Sequence, residues 1–208
     1  MNKSILWLIS LLFVASLSIV SCSESDGKED PYANWEERNQ RYIDSIATVA
    51  EANQGNEVGQ WKIIRSYKLP PLGLNETGKV NDNVYCKIVK IGDGTTSPIA
   101  TDTVAVNYRG QFINGTVFDQ SYQGELDPET ATPKTFVAGG VIAGWSTALM
   151  KGYGGMKVGD QWELYIPYQL GYGKDGYSDI PGYSTLIFNV NLVGISPLKG
   201  TEDRKSVV

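Results

Sequence analysis

The side chains able to do chemistry in this 208-residue chain are few, and histidine is absent altogether. That absence removes Ser-His-Asp and Cys-His nucleophilic catalysis, imidazole general bases and the commonest zinc sites. Asp119 is the one carboxylate in a strand-end run of apolar residues, Gly115-Thr116-Val117-Phe118-Asp119. A carboxylate standing alone there is more often a satisfied structural acid than a catalyst. Gly152-Tyr153-Gly154-Gly155 follows a short helical segment instead of opening one, so it does not form a phosphate cradle. With no histidine and no Asp/Glu cluster, neither a metal nor another cofactor is expected. What stands out is aromatic density in the second half: Tyr108, Phe118, Trp145, Tyr172 and Phe188. Taken singly, each reads as plain core.

The composition is that of a folded globular chain, 41% hydrophobic and 20% charged. A net charge of −5, without any Lys/Arg-dense stretch, argues against nucleic acid as a partner. From Asp82 onward the pattern is of short strands separated by turns. Val104, Val106 and Tyr108 alternate with Ala105 and Asn107, as in a half-buried strand. Asn114-Gly115 predicts a hairpin joining that strand to residues 116–118. Residues 144–150 predict one short helix, and residues 156–160 a turn. Trp162, Leu164 and Ile166 then alternate with Glu163 and Tyr165, and a last strand puts Leu186, Phe188, Val190 and Leu192 on one face. About five antiparallel strands and one short helix predict an α+β domain over residues 82–195, the helix covering one sheet face. Cys86, in the strand-like run Val84-Tyr85-Cys86-Lys87-Ile88-Val89, reads as a structural cysteine.

Residues 33–81 precede this domain as a helix and a connector. The helix spans residues 35–52, with Asn34 as its cap and Glu37 completing a capping box. Trp35, Tyr42, Ile46 and Val49, with Ile43 and Ala50 beside them, form its apolar stripe. Such a stripe either packs on its own domain or joins two copies as a homodimer. In the connector, Trp61-Lys62-Ile63-Ile64 has the look of a short strand, while Pro70-Pro71-Leu72-Gly73 breaks regular structure. Residues 196–208 make a polar tail.

The N-terminus reads as an address. Lys3 and the apolar run Ile5 to Val14 make residues 1–21 an export signal, and Leu17-Ser18-Ile19-Val20-Ser21-Cys22 resembles the lipobox of bacterial lipoproteins. Cys22 would then be acylated and become the first mature residue, and its acyl chains would hold the protein to a membrane. The other reading is an uncleaved membrane helix, for which three serines within residues 4–21 are unfavourable. Residues 22–32 follow as a flexible acidic tether.

Taken in order, the segments of the second half resemble the FKBP-type peptidyl-prolyl isomerases. The similar motifs are Val106-Asn107-Tyr108-Arg109-Gly110, Gly115-Thr116-Val117-Phe118-Asp119, Phe136, and Val141-Ile142-Ala143-Gly144-Trp145. They continue through Trp162 to Pro167, Leu170-Gly171-Tyr172-Gly173 and Ile180 to Phe188. The resemblance implies an FKBP-like antiparallel sheet wrapped around a short helix. It also implies an apolar bowl floored by Trp145 and walled by Tyr108, Phe118, Val141, Ile142, Ile180 and Phe188. By the same resemblance the backbone N–H of Ile142 and the hydroxyl of Tyr172 donate to substrate carbonyls, and Asp119 is a buried acid held by Tyr108. The implied protein is a lipid-anchored isomerase acting on proline-containing polypeptides in the cell envelope, at the outer membrane on its periplasmic or surface face. A chaperone or docking module on the same fold is the alternative. Three departures bear on the pocket: residues 120–127 lack the basic residue that small members carry after the acid, Lys134 stands where some place an aromatic, and Asp179 replaces an apolar residue. Either Tyr177 or Tyr183 could close the pocket in its place.

Overall fold

Two long strands carry the architecture. β3 (Thr103–Gln111) and β7 (Leu186–Ser196) pair antiparallel from Thr103 opposite Ser196 to Gln111 opposite Ile187, with one register shift at Ala105/Val106. The computed structural model describes residues 30–128 and 130–198. The other strands are β1 (Trp61–Arg65), β2 (Asn83–Lys90), β4 (Val117–Gln120), β5 (Lys134–Val137) and β6 (Gln161–Ile166). Their order in the single sheet is β1-β2-β6-β7-β3-β4, and β5 also pairs with β3. All pairings between named strands are antiparallel. The outer edge of β3 is divided: Arg109, Gly110 and Gln111 pair with β4, while Thr103 to Val106 pair with β5. Between those two short strands the chain leaves the edge, and that gap shapes the site described below.

Both faces of the sheet are covered, which explains why near-continuous burial replaces strict alternation in β6 and β7. On one face lies the short helix α2 (Ala143–Leu149), every residue of which is buried. Its companions Val84, Cys86, Val104, Val106, Leu164, Val190 and Leu192 are fully buried. α2 can lie this close because Gly144 carries no side chain: a Cβ there would stand 2.5 Å from Ile166 Cγ2.

The opposite face receives α1 (Trp35–Ala52), whose bounds agree with the sequence. Its buried stripe is Trp35, Asn39, Ile43, Ala47 and Ala50, the last three in a cluster with Trp61, Tyr85, Tyr165 and Ile187. This corrects the expected stripe in two respects. Tyr42 and Ile46 sit at its margin, and Val49 is 52% exposed. A polar residue, Asn39, occupies the centre because the backbone just ahead of β7 and its own helix offer it partners. Its Oδ1 accepts the Thr185 N–H at 2.7 Å, and its Nδ2 donates to the Trp35 carbonyl at 2.7 Å. Trp35 Nε1 also donates to Ser184 Oγ at 2.9 Å. The helix therefore packs its buried stripe on its own domain, the first of the two readings its sequence offers.

The cap differs too. Asn34 takes a left-handed conformation (φ 52°, ψ 36°) and makes no side-chain cap bond, so the expected capping box is absent. Only its carbonyl serves the helix, accepting the Arg38 N–H at 3.0 Å.

The sheet has seven strands against about five expected. One extra strand is β1, which pairs with β2 from Trp61 opposite Lys87 to Arg65 opposite Asn83, so part of the 33–81 segment is an edge strand of the sheet itself. The other is β5, too short and too exposed to show alternation. The hairpin at Asn114-Gly115 forms as expected, with the Phe112 N–H donating to the Thr116 carbonyl at 2.9 Å. The segment expected to be an export signal (residues 1–21), Cys22, most of the expected 22–32 tether, and residues 199–208 lie outside the described residues.

Two outcomes follow from this packing. Replacing Asn39 by Ala leaves the Thr185 N–H buried without an acceptor, and should lower the unfolding free energy in urea by about 1–3 kcal/mol. Burial also pushes the Cys86 thiol far above the ordinary thiol range and raises Tyr85 and Tyr165 above the ordinary phenol range. Groups whose protonated form is favoured by folding contribute stability in full below their unfolded pKa values and lose it as pH rises. Stability measured by chemical denaturation should therefore hold to about pH 8 and decline above it, first through Cys86 and then, above about pH 10, through the tyrosines. Cys86→Ala should abolish the first stage only.

Candidate active site

The residues singled out in the sequence come together. A single open cleft of about 700 Å³ is lined by Tyr108, Phe118, Asp119, Val141, Ile142, Trp145, Tyr172, Ile180 and Phe188. Each element supplies a part. β3 brings Tyr108, β4 brings Phe118 and Asp119, the turn into α2 brings Val141 and Ile142, α2 brings Trp145, and β7 brings Phe188. Tyr172 and Ile180 come from the segment between β6 and β7.

Trp145 is 4% exposed and boxed in by three rings meeting it edge-on: Tyr108 at 5.3 Å, Phe136 at 5.8 Å and Phe188 at 5.2 Å between centroids. Edge-to-face contacts of this kind fix ring orientation, so the floor is rigid. Phe188 also meets Phe118 edge-on at 5.4 Å, and Phe118 in turn lies 4.8 Å from Phe112. The walls close on each other because β3 passes beneath them at Gly110. A Cβ there would stand 2.5 Å from Phe188 Cε1 and 2.7 Å from Phe118 Cζ. The indole N–H of Trp145 is buried and has no hydrogen-bond partner among the described residues.

The polar groups sit at the rim. Tyr108 donates its hydroxyl to Asp119 Oδ2 at 2.5 Å, as the sequence led us to expect. Asp119 is not buried, however; its side chain is 52% exposed, because β4 is a four-residue strand at the divided sheet edge. Lys134 Nζ donates to the same Tyr108 oxygen at 3.1 Å and lies 3.3 Å from Asp119 Oδ1. It also stands 5.2 Å from the centre of the Tyr108 ring. The cation missing after Asp119 is thus supplied from β5, where Val106 opposite Lys134 sets the register. A half-exposed pair of this kind contributes little stability, about 0–1 kcal/mol, and its effect is to orient the Tyr108–Asp119 bond. Burial raises the Tyr108 phenol above its usual range, and the bond to Asp119 adds to the effect. Burial also raises the Tyr172 phenol, with Asp119 and Tyr177 adding to it, so both phenols are neutral donors at physiological pH.

Two donors are available to a ligand. Neither the N–H of Ile142 nor the hydroxyl of Tyr172 is hydrogen-bonded among the described residues. Of the two tyrosines that could close the pocket, Tyr177 lines the cleft and stacks on Tyr172 at 5.3 Å with 13° between planes. Tyr183 turns away to meet Tyr168 at 5.1 Å. Ser178 and Asp179 make that rim polar, and Phe136 and Gly140 complete the lining. Phe136, a motif residue with no pocket role expected from the sequence, is one of the walls. Its place beside Lys134, two residues away on β5, depends on pairing that no local pattern reveals.

A profile of the FKBP-type peptidyl-prolyl cis-trans isomerases matches residues 94–193. The peptidyl-prolyl cis-trans isomerase Mip of Coxiella burnetii is 44% identical over 110 residues, 52% of this chain and 43% of that protein. The macrophage infectivity potentiator of Trypanosoma cruzi is 31% identical over 195 residues, 93% of this chain and 83% of that protein. The chain belongs to the FKBP family. A crystal structure of a peptidyl-prolyl cis-trans isomerase from Pseudomonas syringae pv. tomato shares its fold, with a TM-score of 0.52 and 24% identity over 82% of this chain and 99% of that one. The chain spans 43% and 53% of the lengths of Mip and of the 22 kDa FKBP-type isomerase of Escherichia coli.

The close approach at Gly110 provides a test of the bowl's construction. Gly110→Ala forces the Phe118 and Phe188 rings apart, and overpacking of this kind costs about 1–3 kcal/mol. Urea denaturation should show that loss, and the near-UV circular dichroism of the folded variant should change as the rings shift.

Proposed function

We propose that this protein is an active peptidyl-prolyl cis-trans isomerase that assists the folding of exported polypeptides, held to the cell envelope through a lipidated Cys22. The observation that carries the reading is convergence: floor, walls, two unused donors and a rim carboxylate share one open cleft.

The arrangement suits a reaction that needs no nucleophile. An X–Pro bond isomerises by twisting its amide out of plane against about 18–20 kcal/mol, which unaided takes tens of seconds or more. The planar amide is the more polar form, with negative charge on its oxygen, and the twisted form has lost that resonance. An apolar bowl around Trp145 therefore takes water from the ground state at greater cost than from the transition state. The Ile142 N–H and the Tyr172 hydroxyl can hold the flanking carbonyls while the remaining bond turns. Asp119, fixed by Tyr108 and Lys134, faces the same space. A thousandfold acceleration asks for about 4 kcal/mol, within reach of desolvation and orientation. The cell-envelope placement rests on the N-terminal pattern that ends at Cys22, at the outer membrane on its periplasmic or surface face.

The polar rim of Ser178 and Asp179 favours a second reading, in which the bowl holds unfolded segments as a chaperone without useful catalysis. One set of measurements separates the two. In a protease-coupled assay on a proline tetrapeptide, the full chain should accelerate cis-to-trans conversion well above background. Asp119→Ala and Tyr172→Phe should each lower kcat/KM about tenfold, equivalent to about 1.4 kcal/mol. A folded protein with no acceleration overturns the isomerase reading. Suppression of aggregation that survives both substitutions would then support the chaperone.

A further inference from the structure

A second cleft, of about 580 Å³, adjoins the first, and Ile142 lines both. Its other walls are Ala143, the Gln169 to Gly171 stretch, and the loop between β1 and β2, through Ser66, Lys68, Leu69, Lys79, Asn81 and Asp82. That loop is a built feature. Its base is clamped by Arg65 Nη1 to Asp82 Oδ2 at 2.7 Å and by the Ser66 N–H to the Asp82 carbonyl at 2.9 Å. Its inner side is tied to α2 by the Tyr67 N–H to Thr147 Oγ1 at 3.3 Å, and to α1 by Asn81 Nδ2 to Gln40 Oε1 at 2.8 Å.

The ridge between the two clefts is made of Ile142 on one side and Gly171, next to Tyr172, on the other. Ile142 and Tyr172 carry the two unused donors assigned above to substrate carbonyls. A chain with its proline ring over Trp145 and its carbonyls on this ridge continues into the second cleft within a few residues, at about 3.3–3.6 Å each. The charge there is one-sided. Its single carboxylate, Asp82, is taken up by Arg65 and by the Lys79 N–H at 3.1 Å. Neither Lys68 nor Lys79 has a carboxylate within ion-pair reach among the described residues.

Building on the isomerase reading, we propose that this second cleft extends the polypeptide site and selects substrates carrying acidic residues two to four positions from the proline, on the side that crosses Ile142. The lysines attract the acidic segment and lower its KM, and the chemical step is unaffected. In a chain with a net charge of −5, two such lysines beside the substrate cleft favour an acidic segment there.

The test compares peptides identical but for three Glu or three Gln placed before or after an Ala-Pro centre. Each is measured with the full chain and with Lys68→Gln/Lys79→Gln, both for isomerisation and for direct binding by fluorescence anisotropy. Both lysines are exposed, so the variant retains its fold. With the wild-type chain, the Glu peptide of one flank should exceed its Gln counterpart about fivefold in kcat/KM and in affinity, an advantage that shrinks as salt rises. The double variant should erase that advantage and leave the Gln peptides unchanged. Equal behaviour of Glu and Gln peptides on both flanks, or an equal loss for both in the variant, overturns the proposal. Absence of turnover with every peptide overturns the isomerase reading instead, and the binding comparison then still decides the subsite.

Discussion

Everything in this structure that resembles a binding site depends on how closely α2 approaches the sheet. Trp145 can form a floor only if its helix lies near enough for Tyr108, Phe136 and Phe188 to meet it edge-on. Two positions without side chains make that possible. Gly144 lets the helix rest on Ile166, and Gly110 lets Phe118 and Phe188 close over β3. Interiors pack to near-crystalline density, so a single methyl group at either place displaces a wall and cannot simply be absorbed. The rigidity of the bowl is a steric property of the backbone before it is a property of the aromatic rings.

The polar half of the site obeys a different constraint. The outer edge of β3 is shared by two short strands, and the gap between them leaves Asp119 half exposed and brings Lys134 to it from β5. An exposed ion pair is a weak source of stability but an adequate guide for a phenol. Tyr108 therefore lies between two environments, its ring in the apolar wall and its hydroxyl in the charged rim, and it couples one to the other. Covering of this rim by a bound polypeptide would strengthen these interactions, since removing water raises the strength of every charge-assisted bond in it.

α1 belongs to the same structure. Trp35 meets Phe112 edge-on at 6.0 Å, and Phe112 packs on the pocket wall Phe118. Through Ser184 and Thr185, four and three residues before Phe188, the helix also fixes the start of β7. The helix and the loop ahead of β2 thus buttress the bowl from the outside, one behind its walls and the other beside its ridge.

Local pattern determined a good deal. The bounds of α1, the alternating strands, the hairpin at Asn114-Gly115, the short central helix and most of the pocket residues were legible, because they rest on periodicity, turn chemistry and ordered motifs along the chain. Other features required the tertiary structure. Asn39 at the centre of a buried stripe, the pairing of β1 onto the sheet edge, the strand β5, the exposure of Asp119 and the arrival of Lys134 all depend on partners far away in sequence. A residue's periodicity tells which way it faces within its own element. What it faces is set by how separate elements register against each other, and only the folded chain decides that.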